Sequence, residues 1–215
     1  MQKHLNLQHL LKNNKDWVDS RTKDNPEFFN QLATHHTPKY LWIGCSDARV
    51  PANTIIGLSP GDVFVHRNVG NVVAHSDMNI QTVIAYAVRF LKVEHIIVTG
   101  HYDCGAIKAT LSGEKYEGVD HWLFHIKDVV RESDIVLADL NNQERLDKLC
   151  ELNVQTQVRH VAESPAVNEA WQNEQNLTIH GWIYSVQDGL IKDLDCPVHN
   201  LEEAQKLEPS MLIKT

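Results

Sequence analysis

Two hydrophobic periodicities follow each other along the first half of the chain. Residues 40–43 are apolar at every position, as expected for a strand buried on both faces of a parallel sheet, and residues 62–66 predict a second short strand. From about residue 79 to residue 92, apolar side chains recur at the spacing of an amphipathic helix, and the apolar run 96–99 follows at once. A strand, a helix and a strand in this order predict a right-handed crossover within a parallel sheet.

The second half of the chain predicts further helices and one hairpin. Residues 177–186 alternate as a strand, Gly189 lies in a tight turn, and residues 190–194 return antiparallel at the edge of the sheet. Helical patterns cover four stretches, namely residues 106–111, 121–140, 143–160 and 166–173.

An N-terminal helical arm precedes this core. It extends to about residue 31 with an interruption near Pro26, and its apolar residues predict an amphipathic helix. These residues are Leu5, Leu7, Leu10 and Leu11. We therefore predict a single domain over residues 1–215, with the arm over 1–36 and the core and C-terminal elements over 37–215. The predicted fold class is α/β: a mainly parallel central sheet with helices on both faces, the helical arm, and an antiparallel C-terminal edge hairpin.

Composition and charge exclude several classes of partner. Of the 215 residues, 42% are hydrophobic and 22% are charged, which is ordinary for a globular protein. The net charge of −8 argues against a nucleic-acid or membrane partner, because both call for a basic face. No apolar run approaches the ~20 residues of a membrane span, and the opening lacks the apolar core of a signal peptide.

The four cysteines predict a reducing compartment rather than a disulfide framework, so we expect a cytoplasmic protein. Cys150 falls in a helical stretch and is expected to be a partly buried free thiol, and Cys196 is expected to be a loop thiol. The other two cysteines, Cys45 and Cys104, are better used as metal ligands. Most histidines, His75 and His160 among them, are expected to be ordinary surface or core residues.

Three potential metal ligands follow predicted strands. Cys45 comes directly after the strand at residues 40–43, and His101 and Cys104 come after the strand at residues 96–99. The carboxyl ends of parallel strands are where open α/β sheets place their sites. Two thiolates and one imidazole form a ligand set typical of zinc, and three protein ligands leave one tetrahedral position open for water or substrate, as in a catalytic site.

Asp47 and Arg49 leave two arrangements open. Asp47 could ligate zinc and close the tetrahedron, or it could pair with Arg49 and accept a hydrogen bond from a zinc-bound water. A closed Cys-Asp-His-Cys zinc would only stabilise the fold, and a metal-free redox or core pair of cysteines is a further alternative. Gly105 opens a helix whose first N–H groups could bind an oxyanion, although a glycine there is often only steric. Arg67 is the best local anion anchor, with a surface salt bridge as the alternative.

Taken together, these motifs resemble the β-class carbonic anhydrases. The resemblance rests on Cys-x-Asp-x-Arg at residues 45–49, Gly-His-x-x-Cys-Gly at residues 100–105 and Phe-Val-His-Arg-Asn at residues 64–68, and it covers nearly the whole chain. It implies a lyase that reversibly hydrates carbon dioxide to bicarbonate and a proton. It further implies a Zn²⁺ cofactor on Cys45, His101 and Cys104, with Asp47 and Arg49 orienting a zinc-bound hydroxide. Family members are homodimers or dimers of dimers whose N-terminal helices wrap across the partner.

A finer resemblance concerns a subgroup with an allosteric, non-catalytic bicarbonate pocket. Trp42, Arg67 and Tyr184 match the residues that hold the anion in that subgroup, where the aspartate ligates zinc in a closed form favoured at lower pH; here that aspartate is Asp47. One departure is Ala48, where the family usually has serine.

Two further functions remain open at this point. The same zinc site would suit a related electrophile such as carbon disulfide or carbonyl sulfide. A non-enzymatic bicarbonate sensor or zinc-binding protein would hold the metal permanently in the closed form.

Overall fold

The computed structural model describes residues 7–207. Leu5 of the predicted apolar stripe lies outside the described residues. The chain divides into two compact units whose boundary falls between His36 and Thr37.

The N-terminal unit consists of two helices, α1 (Gln8–Asp24) and α2 (Phe28–Thr34). The interruption between them falls at the predicted position around Pro26, where the ring of proline and the residue before it disfavour continued helix. The aromatic rings of Trp17, Phe28 and Phe29 meet edge to face and join the two helices.

A five-stranded sheet forms the centre of the second unit, with the strand order β2-β1-β3-β4-β5. The first four strands of this order pair parallel, and the last strand pairs antiparallel at the edge, as predicted. The strands are β1 (Tyr40–Cys45), β2 (Val63–Asn68), β3 (His95–His101), β4 (Thr178–Tyr184) and β5 (Ile191–Asp193). This arrangement confirms the predicted α/β fold class.

Eight helices follow the arm among the described residues: α3 (Ala52–Ile55), α4 (Met78–Tyr86), α5 (Gly105–Ser112), α6 (Asp120–Glu132), α7 (Asp134–Leu137), α8 (Asn142–Ala162), α9 (Pro165–Gln172) and α10 (Leu201–Gln205). Two details differ from the expected pattern. A π-helical turn, Ala87–Leu91, continues α4, and the segment expected as one helix over residues 121–140 breaks at Ser133. The N–H of Ser133 is shared between the carbonyls of Val129 and Val130, as is common where a helix ends.

The two faces of the sheet carry different cores. Because side chains alternate along a strand, Leu41 and Ile43 point to one face, where α4, α8 and α9 build the larger core. Trp42 points to the opposite face and packs with Ile97, Tyr184 and residues of the α3 segment. The central strands are therefore buried on both sides, which explains their continuous apolar runs.

Burial of the two spare thiols is more complete than the sequence predicted. Cys150 is 2% exposed on α8, not partly buried, and the loop residue Cys196 is 5% exposed. Close packing explains Cys196, since a Cβ on Gly181 would lie 2.6 Å from its sulfur. Among the described residues, none of the helices is long and apolar enough to cross a membrane.

Candidate metal centre

The fold brings the three sequence-predicted ligands together. Cys45 ends β1, His101 ends β3, and Cys104 is the N-cap residue of α5. One ligand atom from each lies within 4.8 Å of the other two, and all three residues are buried. The two sulfurs are 4.0 Å apart. Two ligands at the usual zinc–sulfur distance and the tetrahedral angle would lie about 3.8 Å apart, so the spacing suits zinc.

The ring of His101 is oriented for metal binding by the backbone of the next residue. Its Nδ1 lies 2.9 Å from the carbonyl oxygen of Tyr102, and the Nδ1–H therefore donates to that oxygen. The other ring nitrogen, Nε2, is buried without a hydrogen-bond partner and carries the free lone pair. A backbone carbonyl that fixes the tautomer in this way is the usual support of a metal-binding histidine.

The electrostatics of the two sulfurs also favour a cation. A hydrogen bond from the Cys104 thiol holds the pKa of Cys45 well below its usual range, and the backbone N–H groups of Asp47 and Gly70 add to this effect. The pKa of Cys104 is raised, because its proton is held against the Cys45 sulfur and because it is buried. Burial alone would lower the pKa of His101, but the adjacent Cys45 reverses the shift and raises it. One thiolate, one shared proton and one orphaned imidazole nitrogen fit a zinc ion that displaces the proton.

Asp47 and Arg49 form the bidentate pair that the sequence left as one of two arrangements. The guanidinium donates from Nε to Oδ1 at 3.0 Å and from Nη2 to Oδ2 at 2.7 Å. The same carboxylate lies beside the ligands, with Oδ2 3.8 Å from Nε2 of His101. The Arg49 hydrogen bonds hold the pKa of Asp47 far below its usual range, so it is an acceptor at any physiological pH.

Two residues that the sequence analysis missed support the site, one beside Arg49 and the other beside Cys45. Asp103 has a positive φ of 60°, which directs its carboxylate to within 3.8 Å of Arg49 Nη1 and into an ion pair with Lys108. Gly70, at a φ of 78°, brings its N–H to the Cys45 sulfur. The charge of Asp103 was a usable signal in the sequence, whereas Gly70 had none beyond its being a glycine after a strand.

Arg67 contacts the metal-site loop rather than solvent. Its Nε donates to the carbonyl of Cys45 at 2.8 Å, and its Nη2 donates to the carbonyl of Asp47. It therefore fixes the backbone between the first ligand and the carboxylate, and its Nη1 group remains for another acceptor. Within the part of the chain that the structure describes, the guanidinium of Arg67 therefore binds backbone carbonyls and does not form the surface salt bridge that the sequence left as the alternative.

Trp42 and Tyr184 lie on the same sheet face as Arg67 by the strand register, and both are buried. The indole Nε1 of Trp42 has no hydrogen-bond partner in a side chain that is 0% exposed. A Cβ on Gly44 would lie 2.4 Å from this nitrogen, so glycine is required there. A buried N–H without a partner costs on the order of 1–3 kcal/mol unless a ligand accepts from it.

Gly105 begins α5 directly after Cys104, as expected. A Cβ at this position would meet no atom within 4 Å, so close packing is not the reason for glycine here. The backbone N–H of Ile107, in the first turn of the same helix, donates to the Cys104 sulfur and favours its thiolate.

Comparison with protein families gives a consistent result. The family described as Carbonic anhydrase matches residues 40–191 of the chain. A carbonic anhydrase of Emericella nidulans is 44% identical over 187 residues, which are 86% of this chain and 82% of the relative. A carbonic anhydrase of Candida albicans is 37% identical over 202 residues, which are 92% of this chain and 71% of the relative.

Solved structures agree in fold as well as in sequence. A Coccomyxa β-carbonic anhydrase, solved in complex with acetazolamide, superposes with a TM-score of 0.90 and 35% identity, covering 98% of each chain. A tetrameric β-carbonic anhydrase of Sordaria macrospora superposes with a TM-score of 0.85 and 39% identity, covering 89% of this chain and 98% of the other.

Proposed function

The chain belongs to the β-class carbonic anhydrases, enzymes that interconvert carbon dioxide and bicarbonate, and from this premise we propose how its residues carry out the reaction. Cys45, His101 and Cys104 would hold a catalytic Zn²⁺ through two sulfurs and Nε2. When bound, the ion supplies Lewis acidity, which lowers the pKa of water and makes it a nucleophile toward carbon dioxide. The observation that carries this proposal is the buried, unpartnered Nε2 of His101 beside two sulfurs 4.0 Å apart.

Asp47 positions the attacking water in this proposal. Because Arg49 occupies both carboxylate oxygens and keeps the group ionised, Asp47 accepts a hydrogen bond from the water and directs its remaining lone pair toward the substrate. Arg49 is a positioning residue that acts through Asp47. The proton released is taken up by buffer or by a chain of waters. Such waters have space at Gly105, where an added Cβ would meet no atom within 4 Å.

The test is the stopped-flow rate of carbon dioxide hydration by zinc-quantified protein from about pH 6.5 to about pH 9.5. Two thiolate ligands would cancel the charge of the ion, so the ion would lower the pKa of water less than it would with neutral ligands. We therefore expect the rate to rise toward alkaline pH. A fully zinc-loaded protein that hydrates no carbon dioxide anywhere in this range would overturn the assignment of the site.

We further propose that Asp47 can close the site at lower pH. Its Oδ2 already lies 3.8 Å from Nε2 of His101, so a carboxylate released from Arg49 would be near enough to add a ligand to an ion held there. An aspartate released from Arg49 returns toward its ordinary pKa of about 3.9, so it would still be ionised at mildly acidic pH. On acidification hydroxide gains a proton, and the resulting neutral water would compete less well with the carboxylate for a bound ion. Ionisation of the water gives the rate an acid limb of its own, so Asp47→Asn should not remove this limb. It should move the midpoint of the limb to lower pH in whatever activity remains, and an unmoved midpoint would exclude the closure.

Bicarbonate inhibition is the second regulatory proposal. The unpaired indole N–H of Trp42, the free Nη1 of Arg67 and the hydroxyl of Tyr184 are three donors on one sheet face, which suits a small oxyanion. An anion bound there would compete for the guanidinium of Arg67 and would thereby weaken its hydrogen bonds to the carbonyls of Cys45 and Asp47.

Matched substitutions test the pocket. Trp42→Phe and Tyr184→Phe should each relieve inhibition by added bicarbonate, because each removes one donor. Trp182→Phe is the control, since this indole packs against Trp42 but donates to Asp193. Inhibition that is equally strong in all three variants would exclude the pocket.

We also propose that the protein self-associates and that it is located in the cytoplasm. Leu7, Leu10 and Leu11 of α1 are each more than half exposed, which supports a homodimer or a dimer of dimers in which the arm covers a second copy. A tetramer is described for the Sordaria relative. Analytical ultracentrifugation tests this, and a monomer at micromolar concentration would exclude it. The four free thiols support the cytoplasm as the location.

A further inference from the structure

A second group of metal-binding side chains lies outside the catalytic site. His75 follows β2 in the loop before α4, whereas His160 and Glu163 are at the end of α8. One ligand atom from each lies within 4.8 Å of the other two. Nε2 of His75 is 2.7 Å from the Glu163 carboxylate, and the two imidazole rings are 4.5 Å apart between centroids. Nothing in the proposed reaction uses this cluster.

His160 is oriented in the same way as the catalytic histidine. Its Nδ1 lies 2.9 Å from the carbonyl of Val73 and donates to it, so the lone pair remains on Nε2. Burial, together with the charge of His75, lowers the pKa of His160 to about 4, and the ring is therefore a neutral ligand at pH 7. This fixed tautomer, with a backbone carbonyl behind it, is the support expected of a metal-binding histidine rather than of a surface one.

We propose that His75, His160 and Glu163 form a second site for a divalent ion of the zinc class, bound through two imidazole nitrogens and one carboxylate. Two nitrogens and an oxygen suit Zn²⁺, Ni²⁺ and Cu²⁺, and they do not suit calcium, which takes oxygen ligands only. Glu163 and His75 are 32% and 52% exposed, so the ion has a direct path of entry and remains exchangeable. Binding of the ion to Nε2 of His75 displaces the hydrogen bond that joins this nitrogen to Glu163.

The position of this site gives it a link to the catalytic loop. Side chains of α8 hold the segment after β2 along its length: Asn153 donates to the Gly70 carbonyl, Gln157 accepts from the Val73 N–H, and His160 donates to the Val73 carbonyl. The N–H of Gly70 in turn donates to the Cys45 sulfur. An ion bound to His75 and His160 would add one more contact between α8 and the segment after β2, at the end of this segment that is farther from Gly70.

The test is calorimetric titration of Ni²⁺ into tag-free enzyme that already holds one zinc per chain. We expect one further ion per chain in the wild type, and at least about tenfold weaker binding in His75→Asn and in Glu163→Gln, since each loses a ligand. His121→Asn on α6 is the matched control and should bind as the wild type does. The proposal would be overturned if the wild type binds no further ion below millimolar concentration. It would also be overturned if both ligand variants bind Ni²⁺ as tightly as the wild type does.

Cobalt provides a readout that separates this site from the cysteines. Co²⁺ added to the zinc enzyme should produce visible bands without the near-ultraviolet band of a thiolate–cobalt bond, because no sulfur is in the ligand set. A thiolate band would place the ion on a cysteine and overturn the assignment. Neither result depends on hydration activity, so the proposal fails or stands separately from the catalytic one.

Discussion

The two clusters proposed to bind metal share one histidine arrangement but lie in opposite surroundings. In both, Nδ1–H donates to a backbone carbonyl, of Tyr102 for His101 and of Val73 for His160, and Nε2 is left for the ion. The first cluster adds two buried cysteine sulfurs, one at the end of a central strand and one at the N-cap of α5, whereas the second adds a partly exposed imidazole and carboxylate between a loop and a helix end. One backbone carbonyl therefore suffices to orient a ligand, whether it belongs to the next residue or to a loop distant in sequence. How permanently an ion is held depends on the remaining ligands and on the rigidity of the elements that carry them.

Thiol labelling should show the largest effect. It compares two cysteines that are equally exposed but whose pKa values are shifted in opposite directions. Cys45 and Cys196 are both 5% exposed, but the pKa of Cys45 is lowered and burial raises the pKa of Cys196 to about 12. In zinc-free protein at about pH 7.5 we expect iodoacetamide to label Cys45 at least about a thousand times faster, since only thiolates react. Between about pH 7 and about pH 9, labelling of Cys196 should rise about tenfold per pH unit, and that of Cys45 should not.

Peptide mass spectrometry measures both rates. Added zinc is the control, because it should protect Cys45 and leave the rate at Cys196 unchanged. Equal labelling of the two thiols would mean that the environment of Cys45 does not favour the thiolate.

Ligand removal should separate the two clusters in activity. Cys104→Ser replaces a thiolate by a poor ligand, and we expect its zinc content and hydration rate to fall by more than about 100-fold, beyond the loss seen for supporting residues. His75→Asn should retain turnover within about twofold, because this residue touches neither the ligands nor the Asp47–Arg49 pair. Metal analysis with stopped-flow assay of both variants tests this, and a collapse of activity in His75→Asn would remove the distinction.

Positioning of Asp47 should matter less than the metal itself. Arg49→Lys keeps the positive charge but loses the bidentate hydrogen bonds to the Asp47 carboxylate. We expect kcat/KM to fall about 10- to 100-fold with zinc content unchanged. Arg131→Lys, in an exposed pair with Asp128, is the matched control and should behave as the wild type. If Arg49→Lys matches that control, the bidentate geometry is unimportant.

The second cluster should contribute least to stability when no ion is bound. The His75–Glu163 pair is largely solvent-accessible, so Glu163→Gln should change the free energy of unfolding by no more than about 1 kcal/mol in chelator. With Ni²⁺ at a hundred times its dissociation constant, the wild type should gain about 2.7 kcal/mol, and the variant should gain much less. Urea unfolding in both buffers measures the difference, and equal gains would count against the second site.

Sequence patterns predicted the sheet and the first cluster well, for identifiable reasons. The strand at residues 40–43 is apolar throughout, because β1 is buried on both faces, and Cys45 follows it at the carboxyl end. The break at Ser133 was not predicted, since the apolar spacing of α6 continues into α7 without a proline or glycine. Complete burial of Cys150 also escaped the pattern, because it depends on how α8 packs against the sheet.

The sequence by itself determined which chemical groups this protein offers and at which strand ends they lie, because ligand identity, spacing and apolar runs are local properties of the chain. Tertiary structure alone decided that Arg67 holds the carbonyls of Cys45 and Asp47, and that His75 meets His160. Those contacts join residues distant in sequence, and they depend on strand register and on hydrogen bonds from α8 to the loop after β2. Neither leaves a periodicity in the sequence, because each is a geometric consequence of the assembled fold.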